Sequence, residues 1–132
     1  MALMTMVHVV DPIEELTDKI GDLSEIEVPL NKVLVGIYMR PEKTKGGILL
    51  TDEYRAEDRF QGKAGLVLKK GPLAFVDDDR VKFSGFDPQV GDWVVFRSSN
   101  GLKLDIRSAT GHCIILTDTQ IELVVPSPDM VW

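Results

Sequence analysis

The stretch Lys45-Gly46-Gly47-Ile48-Leu49-Leu50-Thr51 places three large aliphatic residues directly after a double glycine. It lies within a segment, Arg40 to Gly65, that is otherwise dominated by charged residues of both signs. Such a segment has too little contiguous apolar sequence to fold alone, so Ile48, Leu49 and Leu50 are suited to the groove of a partner. The alternative is an ordinary strand that begins after a Gly-Gly turn, and these residues alone do not separate the two.

Short apolar segments flank this stretch on both sides and predict β-strands. The first, Lys32 to Tyr38, is rich in β-branched residues and ends before Arg40-Pro41, where the proline discourages continuation. The others are Gly65 to Gly71, Val90 to Phe96, Leu102 to Ile106, His112 to Leu116 and Ile121 to Val125. Several short strands separated by turn signals predict an all-β barrel or sandwich.

Residues 72–88 form a second insertion between strands. Two apolar arms, Leu73 to Val76 and Val81 to Phe83, flank the acidic turn Asp77-Asp78-Asp79, which predicts a hairpin that stands off the barrel. A metal ion at the aspartates is the alternative, but adjacent residues rarely converge on one ion and no further ligands repeat at calcium-loop spacing. A solvated turn is therefore favoured, and no metal is predicted.

The composition is that of a single soluble globular domain, with 132 residues of which 44% are hydrophobic. No apolar run reaches the roughly 20 residues that span a bilayer. The first ten residues lack the basic start of a secretory signal, and the single Cys113 excludes an intramolecular disulfide. A cytoplasmic location is expected.

The net charge of −6 is concentrated at the N-terminus, because residues 1–28 carry seven acidic residues and one basic residue. The remaining 14 acidic and 14 basic residues balance. Neither a nucleic acid nor a membrane partner is predicted, because no basic face is indicated. A small barrel that binds nucleic acid or a small ligand is disfavoured because basic residues with interleaved aromatic residues are missing.

The acidic N-terminal segment contains signals for a short helix. Asp11 is the predicted N-cap, Pro12 the first helical residue, and Glu14 lies where its carboxylate can reach back to the cap. Gly21 is the predicted end, and one apolar face is formed by Ile13, Leu16 and Ile20. So short a helix must dock to persist, and a partly ordered tail is the alternative. In either case we expect the barrel to fold without residues 1–28.

The sequence lacks the groups that catalysis requires. His112 and Cys113 are adjacent in a predicted strand, so their side chains point to opposite faces and cannot form a nucleophile-base pair. Phosphate-binding glycine loops, zinc-site spacings and nucleophile motifs are missing. No catalytic residue and no cofactor are predicted.

In their order and spacing these segments resemble the GroES-type co-chaperonins, the lid subunits of chaperonin rings. Pro29 to Val35 looks like the opening strand of that family, Lys45 to Thr51 like the apolar edge of its mobile loop, and Val90 to Phe96 like its Val-Gly-Asp turn and strand. The resemblance also includes the strand after the loop, Gly65 to Leu68, and the closing pair, Cys113 to Leu116 and Ile121 to Val125.

The resemblance implies a small all-β, GroES-like barrel over residues 29–125 with a mobile loop over 40–64 and a roof-type hairpin over 72–88. Residues 1–28 are then an acidic extension with a short helix, and 126–132 are a C-terminal tail. The implied function is that of a co-chaperonin without enzymatic activity. It would form an oligomeric lid on a nucleotide-bound, GroEL-type chaperonin ring and assist ATP-dependent folding of an unfolded protein enclosed under the lid.

Two sets of site residues follow from the resemblance. Chaperonin binding is expected at Gly46, Gly47, Ile48, Leu49 and Leu50. In a seven-membered ring the first strand of one subunit would pair with the last strand of its neighbour, through Val33, Leu34, Val35, Leu123, Val124 and Val125. The longer loop and the added ends indicate a divergent member, as bacteriophage-encoded co-chaperonins are. The alternative is a virion or other structural assembly protein that reuses the barrel without binding a chaperonin.

Overall fold

The computed structural model describes residues 11–40, 63–106 and 111–131. They contain one helix, three short 3-10 turns and six strands. The elements are α1 (Pro12–Ile20), β1 (Lys32–Ile37), β2 (Ala64–Lys70), β3 (Trp93–Phe96), β4 (Leu102–Ile106), β5 (Gly111–Thr117) and β6 (Ile121–Val125), with 3-10 turns at Ser98–Asn100, Asp118–Gln120 and Pro128–Met130. The predicted all-β fold and each predicted strand segment are confirmed.

The six strands form one antiparallel sheet in the order β4-β5-β1-β2-β3-β6. β1 lies in the interior of the sheet, paired with β2 on one side and β5 on the other. An irregularity in the β1–β2 register between Leu34 and Val35 is a β-bulge, the kind of feature that increases local twist. β4 and β6 are therefore the outer strands of the sheet as described.

Both faces of the central strands are buried, which explains why their sequences are continuously apolar. On one face lies the roof-side cluster, which includes Val33, Val35, Val67 and Phe96 together with Phe75 from residues 72–88. On the other lies the helix-side cluster, which is formed by Leu16, Ile20, Leu34, Tyr38, Ala64, Leu66, Leu68, Trp93, Ile106 and Cys113. Alternate residues of β1 enter opposite clusters, as the period of two requires.

Helix α1 begins and ends where the sequence predicts. The Asp11 side chain accepts a hydrogen bond from the Ile13 N–H (2.8 Å), and Gly21 ends the helix with a positive φ of 81°. Leu16 and Ile20 are buried, whereas Ile13 is 37% exposed. The helix is therefore docked, and the alternative of a partly ordered tail does not apply to residues 11–21.

Ile20 occupies a notch between two glycines on neighbouring strands. A Cβ atom at Gly36 of β1 would lie 2.9 Å from Ile20 Cδ1, and one at Gly111 of β5 would lie 3.2 Å from Ile20 Cα. A larger residue at Gly36 would require the Ile20 side chain to shift, and one at Gly111 would meet the Ile106 carbonyl oxygen (2.7 Å) before the helix. Because α1 supplies the buried side chains of Leu16 and Ile20 to the helix-side cluster, this packing argues against our expectation that the barrel folds without residues 1–28.

The C-terminal tail packs on the same face of the sheet as α1. Asp129, in the turn Pro128–Met130, accepts a hydrogen bond from the Tyr38 hydroxyl through its Oδ1 atom (2.8 Å). Pro128 is buried, and Val131 packs against the helix-side cluster. Both ends of the described chain thus cover one face of the barrel sheet.

Residues 72–88 reverse direction at the acidic turn but do not stand off the barrel. Phe75 is only 7% exposed, and its ring makes edge-to-face contacts with Phe83 (5.6 Å between centroids) and Phe86 (6.0 Å). Its N–H donates a hydrogen bond to the buried Asp118 carboxylate (3.1 Å). The aromatic residues therefore fold the segment down onto the roof-side cluster, and no strand is assigned within it.

Within residues 11–40, 63–106 and 111–131, no helix is long and apolar enough to cross a membrane.

Candidate functional site

The predicted docking residues Gly46, Gly47, Ile48, Leu49 and Leu50 lie outside the described residues, but the two ends of their segment are described. Ile37 is paired with Gly65 at the end of the β1–β2 ladder, and the Tyr38 N–H donates to the Ala64 carbonyl (2.9 Å). The chain therefore leaves the sheet and returns to it at adjacent positions. The two strand ends that residues 41–62 connect are therefore neighbours in the sheet.

The two strand ends that flank residues 41–62 are held by packing and hydrogen bonds. Tyr38 is 2% exposed, its ring meets Trp93 edge to face at 5.7 Å, and its hydroxyl is fixed by Asp129. On the returning side, the Phe96 N–H donates to the Lys63 carbonyl (2.9 Å). Aromatic packing and the hydrogen-bonded Tyr38 hydroxyl hold these strand ends firmly, because a buried hydroxyl with a partner carries no desolvation penalty.

The structure does not place Val33, Leu34 and Val35 at an edge. Their exposed fractions are 0%, 2% and 0%, and β1 is hydrogen-bonded to β2 and β5 on its two sides. A strand whose two edges are already paired has no groups left to pair with a neighbouring subunit. The expectation that β1 is an edge strand available for subunit pairing is therefore wrong.

The last strand, β6, lies at an edge of the described sheet and is partly exposed, unlike β1. Among the described residues it pairs only with β3, with Val124 opposite Val94 and Leu123 opposite Val95. Leu123 and Val124 are 53% and 44% exposed, while Val125 is half-buried. Glu122 is the single charge on this strand, so its outer edge lacks the charged guards that usually prevent strand addition.

A second segment, Glu25 to Val28, whose burial alternates along the chain was missed by sequence reasoning. Ile26 and Val28 are half-buried against the helix-side cluster, whereas Glu25 and Glu27 are exposed. This alternation of apolar and charged residues, visible in Glu25-Ile26-Glu27-Val28, is the period of an extended chain and was the available signal. No strand partner is found for these residues in the part of the chain that the structure describes.

The acidic turn is organised by its own backbone. Asp78 Oδ1 accepts from the N–H groups of Arg80 and Val81, both at 2.7 Å, and Asp77 Oδ1 accepts from the Phe83 N–H at 2.7 Å. The bonds from Val81 and Arg80 lower the pKa of the Asp78 carboxyl, because they stabilise its charged form. The carboxylates of Asp77 and Asp78 thus accept hydrogen bonds that stabilise the turn. This arrangement agrees with the predicted solvated turn.

His112 and Cys113 lie on opposite faces of β5, as the strand period requires. His112 Nδ1 is hydrogen-bonded to Asp105 Oδ1 on β4 (2.7 Å), while Cys113 is fully buried in the helix-side cluster. Burial raises the pKa of the Cys113 thiol to about 12, and the Asp105 charge adds to this effect. The two side chains cannot act together as nucleophile and base.

Cys113 should consequently resist alkylation in the native protein. A pKa of about 12 leaves very little thiolate at pH 8, and the thiolate is the reacting species. We expect labelling by iodoacetamide to be slower than in the urea-unfolded chain by roughly two orders of magnitude or more. The rate of labelling is measured by mass spectrometry. If the native protein is labelled as fast as the unfolded chain, the placement of Cys113 in the core is contradicted.

Comparison with known families agrees with this geometry. The family model described as the chaperonin 10 kDa subunit matches residues 25–125. The match begins at Glu25, after α1, and includes all six strands, the segment 41–62 and residues 72–88. Comparison with curated protein sequences gives no significant match. Because the family model spans most of the chain, the protein belongs to the chaperonin 10 kDa family, the GroES-type co-chaperonins.

Proposed function

We propose that this chain forms an oligomeric lid on a nucleotide-bound chaperonin ring and assists ATP-dependent folding of an unfolded protein enclosed beneath it. Its family supports a co-chaperonin role, partnership with a chaperonin and self-association in general terms, and it is not an enzyme family. The observation that carries the proposal is the geometry of the strand ends on either side of residues 41–62. These ends are neighbours in the sheet and firmly packed, and the sequence between them contains the apolar stretch Ile48 to Leu50.

The energetics of a single loop favour action in an assembly. Burying three aliphatic side chains contributes roughly 1.5 to 3 kcal/mol each. Ordering five or more loop residues costs about 1 to 2 kcal/mol per residue, which offsets most of that gain. One loop would therefore bind weakly, whereas a ring that presents several loops at once gains effective concentration. The assembled lid can then bind the chaperonin tightly, although each loop binds weakly enough to be released.

The ring contact that we propose uses β6 and the segment before β1. The unguarded edge of β6 would accept Glu25 to Val28 of the neighbouring copy, because β1 itself is paired on both sides. Such a contact is heterologous, joining two different surfaces, and it closes into a ring when the rotation permits. A seven-membered ring is the form that the family resemblance implies.

Replacing Val124 with lysine should weaken this assembly. Val124 is 44% exposed on the outer strand, so the change should leave the fold intact while adding a charge that guards the edge. We expect the concentration at which the oligomer dissociates to rise at least about tenfold, measured by native mass spectrometry across a dilution series. Val76→Lys, at a valine that is 51% exposed outside β6, is the matched control. Equal dissociation of the two variants would contradict the role of β6.

The alternative function is a virion or other structural assembly protein that keeps the barrel but does not bind a chaperonin. Purification of the tagged full-length protein from cells in the presence of ATP separates the two. Recovery of a chaperonin, dependent on nucleotide, is expected for the lid and also supports a cytoplasmic site of action. Recovery of assembled particles without a chaperonin would favour the alternative.

A further inference from the structure

The C-terminal tail after β6 forms a compact turn against the barrel. The Asp129 N–H donates a hydrogen bond to the Ser127 hydroxyl (3.3 Å), and Pro128 is the buried first residue of the turn. Val131 packs against the helix-side cluster. The family match ends at residue 125, so this docked turn lies outside the part of the chain that the family model matches.

The turn directs one carboxylate at the end of β1. Asp129 Oδ1 accepts the hydrogen bond of the Tyr38 hydroxyl at 2.8 Å in a partly buried site, across 91 residues of sequence. Hydrogen bonds to an ionised acceptor are among the stronger ones in proteins. The Tyr38 ring is 2% exposed and lies edge to face on Trp93. Tyr38 is therefore held at its ring by β3 and at its hydroxyl by the tail.

Tyr38 connects the tail to the strand ends that flank residues 41–62. It directly follows β1, and its N–H donates to the Ala64 carbonyl on the returning strand (2.9 Å). A separate contact at these ends, from the Phe96 N–H to the Lys63 carbonyl (2.9 Å), is made by β3 rather than by the tail. The tail therefore acts on the outgoing end, where β1 stops.

We propose that Asp129 is a positioning residue for chaperonin docking, because it fixes Tyr38 and with it the direction in which the chain leaves β1. The inference rests on the proposed function, in which residues 41–62 carry the docking stretch. Binding is tighter when the free protein is already restricted to the conformation that binds, since less freedom is then lost. The tail supplies such a restriction at one end of the docking segment.

The inference is tested by surface plasmon resonance of the full-length protein on immobilised chaperonin with ATP. We expect Asp129→Ala to weaken the apparent affinity by about tenfold or more, because each subunit of a ring carries the change. Asp129→Asn keeps an acceptor oxygen, so it should stay within roughly a few-fold of the original protein. Asp87→Ala is the matched control, since Asp87 also accepts a 2.8 Å hydrogen bond, from Lys70, but lies outside the tail. It should bind as the original protein does.

A double-mutant cycle separates positioning from a general loss of stability. Tyr38→Phe removes the hydroxyl and keeps the ring that packs on Trp93. If Asp129 acts through Tyr38, this variant should weaken binding as Asp129→Ala does, and the double variant should bind no more weakly than either one. Additive losses would show that the two side chains act separately, which would overturn the inference.

Hydrogen exchange gives a readout that does not depend on the chaperonin. In Asp129→Ala we expect the Tyr38 amide to exchange at least about tenfold faster, because local opening of this strand end becomes easier. The Phe96 amide, which donates to Lys63, should keep its rate. An unchanged rate for the Tyr38 amide would contradict the role of Asp129.

The outcomes also separate this inference from the proposed function. If the original protein does not bind the chaperonin, the proposed function fails and the inference falls with it. If the original protein binds and Asp129→Ala binds equally well, only the role of Asp129 fails.

Discussion

Replacing Ile20 with aspartate is expected to lower the free energy of unfolding by about 4 kcal/mol or more. Ile20 is fully buried between α1 and the sheet, against Gly36 and Gly111. Truncating a buried isoleucine alone costs about 2 to 5 kcal/mol, and an unpaired carboxylate in an apolar site adds to that cost. For a domain of this size the thermal midpoint should fall by roughly 10 °C or more, measured by circular dichroism or calorimetry.

Ile13→Asp is the matched control for this prediction, because it places the same charge on the same helix. Ile13 is 37% exposed, so its replacement should change the thermal midpoint by only a few degrees. Removal of residues 1–28 should destabilise the protein as Ile20→Asp does. If the truncated protein and Ile20→Asp both melt like the original, the extension is a separable appendage after all.

Replacing Leu49 with aspartate is expected to abolish chaperonin binding without changing the stability of the barrel. The proposed loop gains little net free energy on docking, and a carboxylate desolvated in an apolar groove costs about 2 kcal/mol or more. Because every subunit of a ring carries the same change, the loss is repeated at each contact and should exceed about a hundredfold in apparent affinity. Surface plasmon resonance with immobilised chaperonin and ATP measures it.

Leu102→Asp is the matched control for the loop variant, since Leu102 is 67% exposed on β4 and lies outside the loop. It should bind the chaperonin as the original protein does. A Leu49→Asp variant that binds normally would refute the docking assignment. One that melts early would instead indicate that Ile48 to Leu50 belong to a packed strand, the alternative that the sequence leaves open.

The strands were predictable because their sequences report burial directly. Continuous apolar runs such as Val33 to Ile37 are typical of strands covered on both faces, and turn residues mark their ends. The helix was predictable from Asp11, Pro12 and Gly21, which act through local hydrogen bonding that needs no tertiary partner. These signals are local, so a single sequence is sufficient to read them.

Features that depend on distant partners were not predictable. An apolar strand can lie at an edge or in the interior of a sheet, and only pairing with both β2 and β5 placed β1 inside. Gly36 in β1 was a signal that another element approaches the strand closely. Nothing in the sequence identified that element as α1, which contacts this position through Ile20. Likewise, the hydrogen bond from the Phe75 N–H to the Asp118 carboxylate joins residues far apart in the chain.

The proposed assembly surfaces also divide into a part that was predictable and a part that was not. The apolar edge of β6 was predicted from its own residues, whereas Glu25 to Val28 was overlooked because it is short and adjoins the acidic extension. The Lys69 ammonium, more than forty residues away, donates a hydrogen bond to the Ile26 carbonyl of this segment. Long-range contacts of this kind carry no local signature, so they became visible only in the structure.

The most direct test of the central claim is electron microscopy of the purified protein mixed with a GroEL-type chaperonin, with and without ATP. The account predicts chaperonin rings closed by a dome at one or both ends when ATP is present, and bare rings when it is omitted or when the Leu49→Asp variant is used. In a parallel control, the chaperonin is mixed with its own co-chaperonin to show that it can be capped. Bare rings under every condition with this protein, while the control is capped, would contradict the proposed lid function.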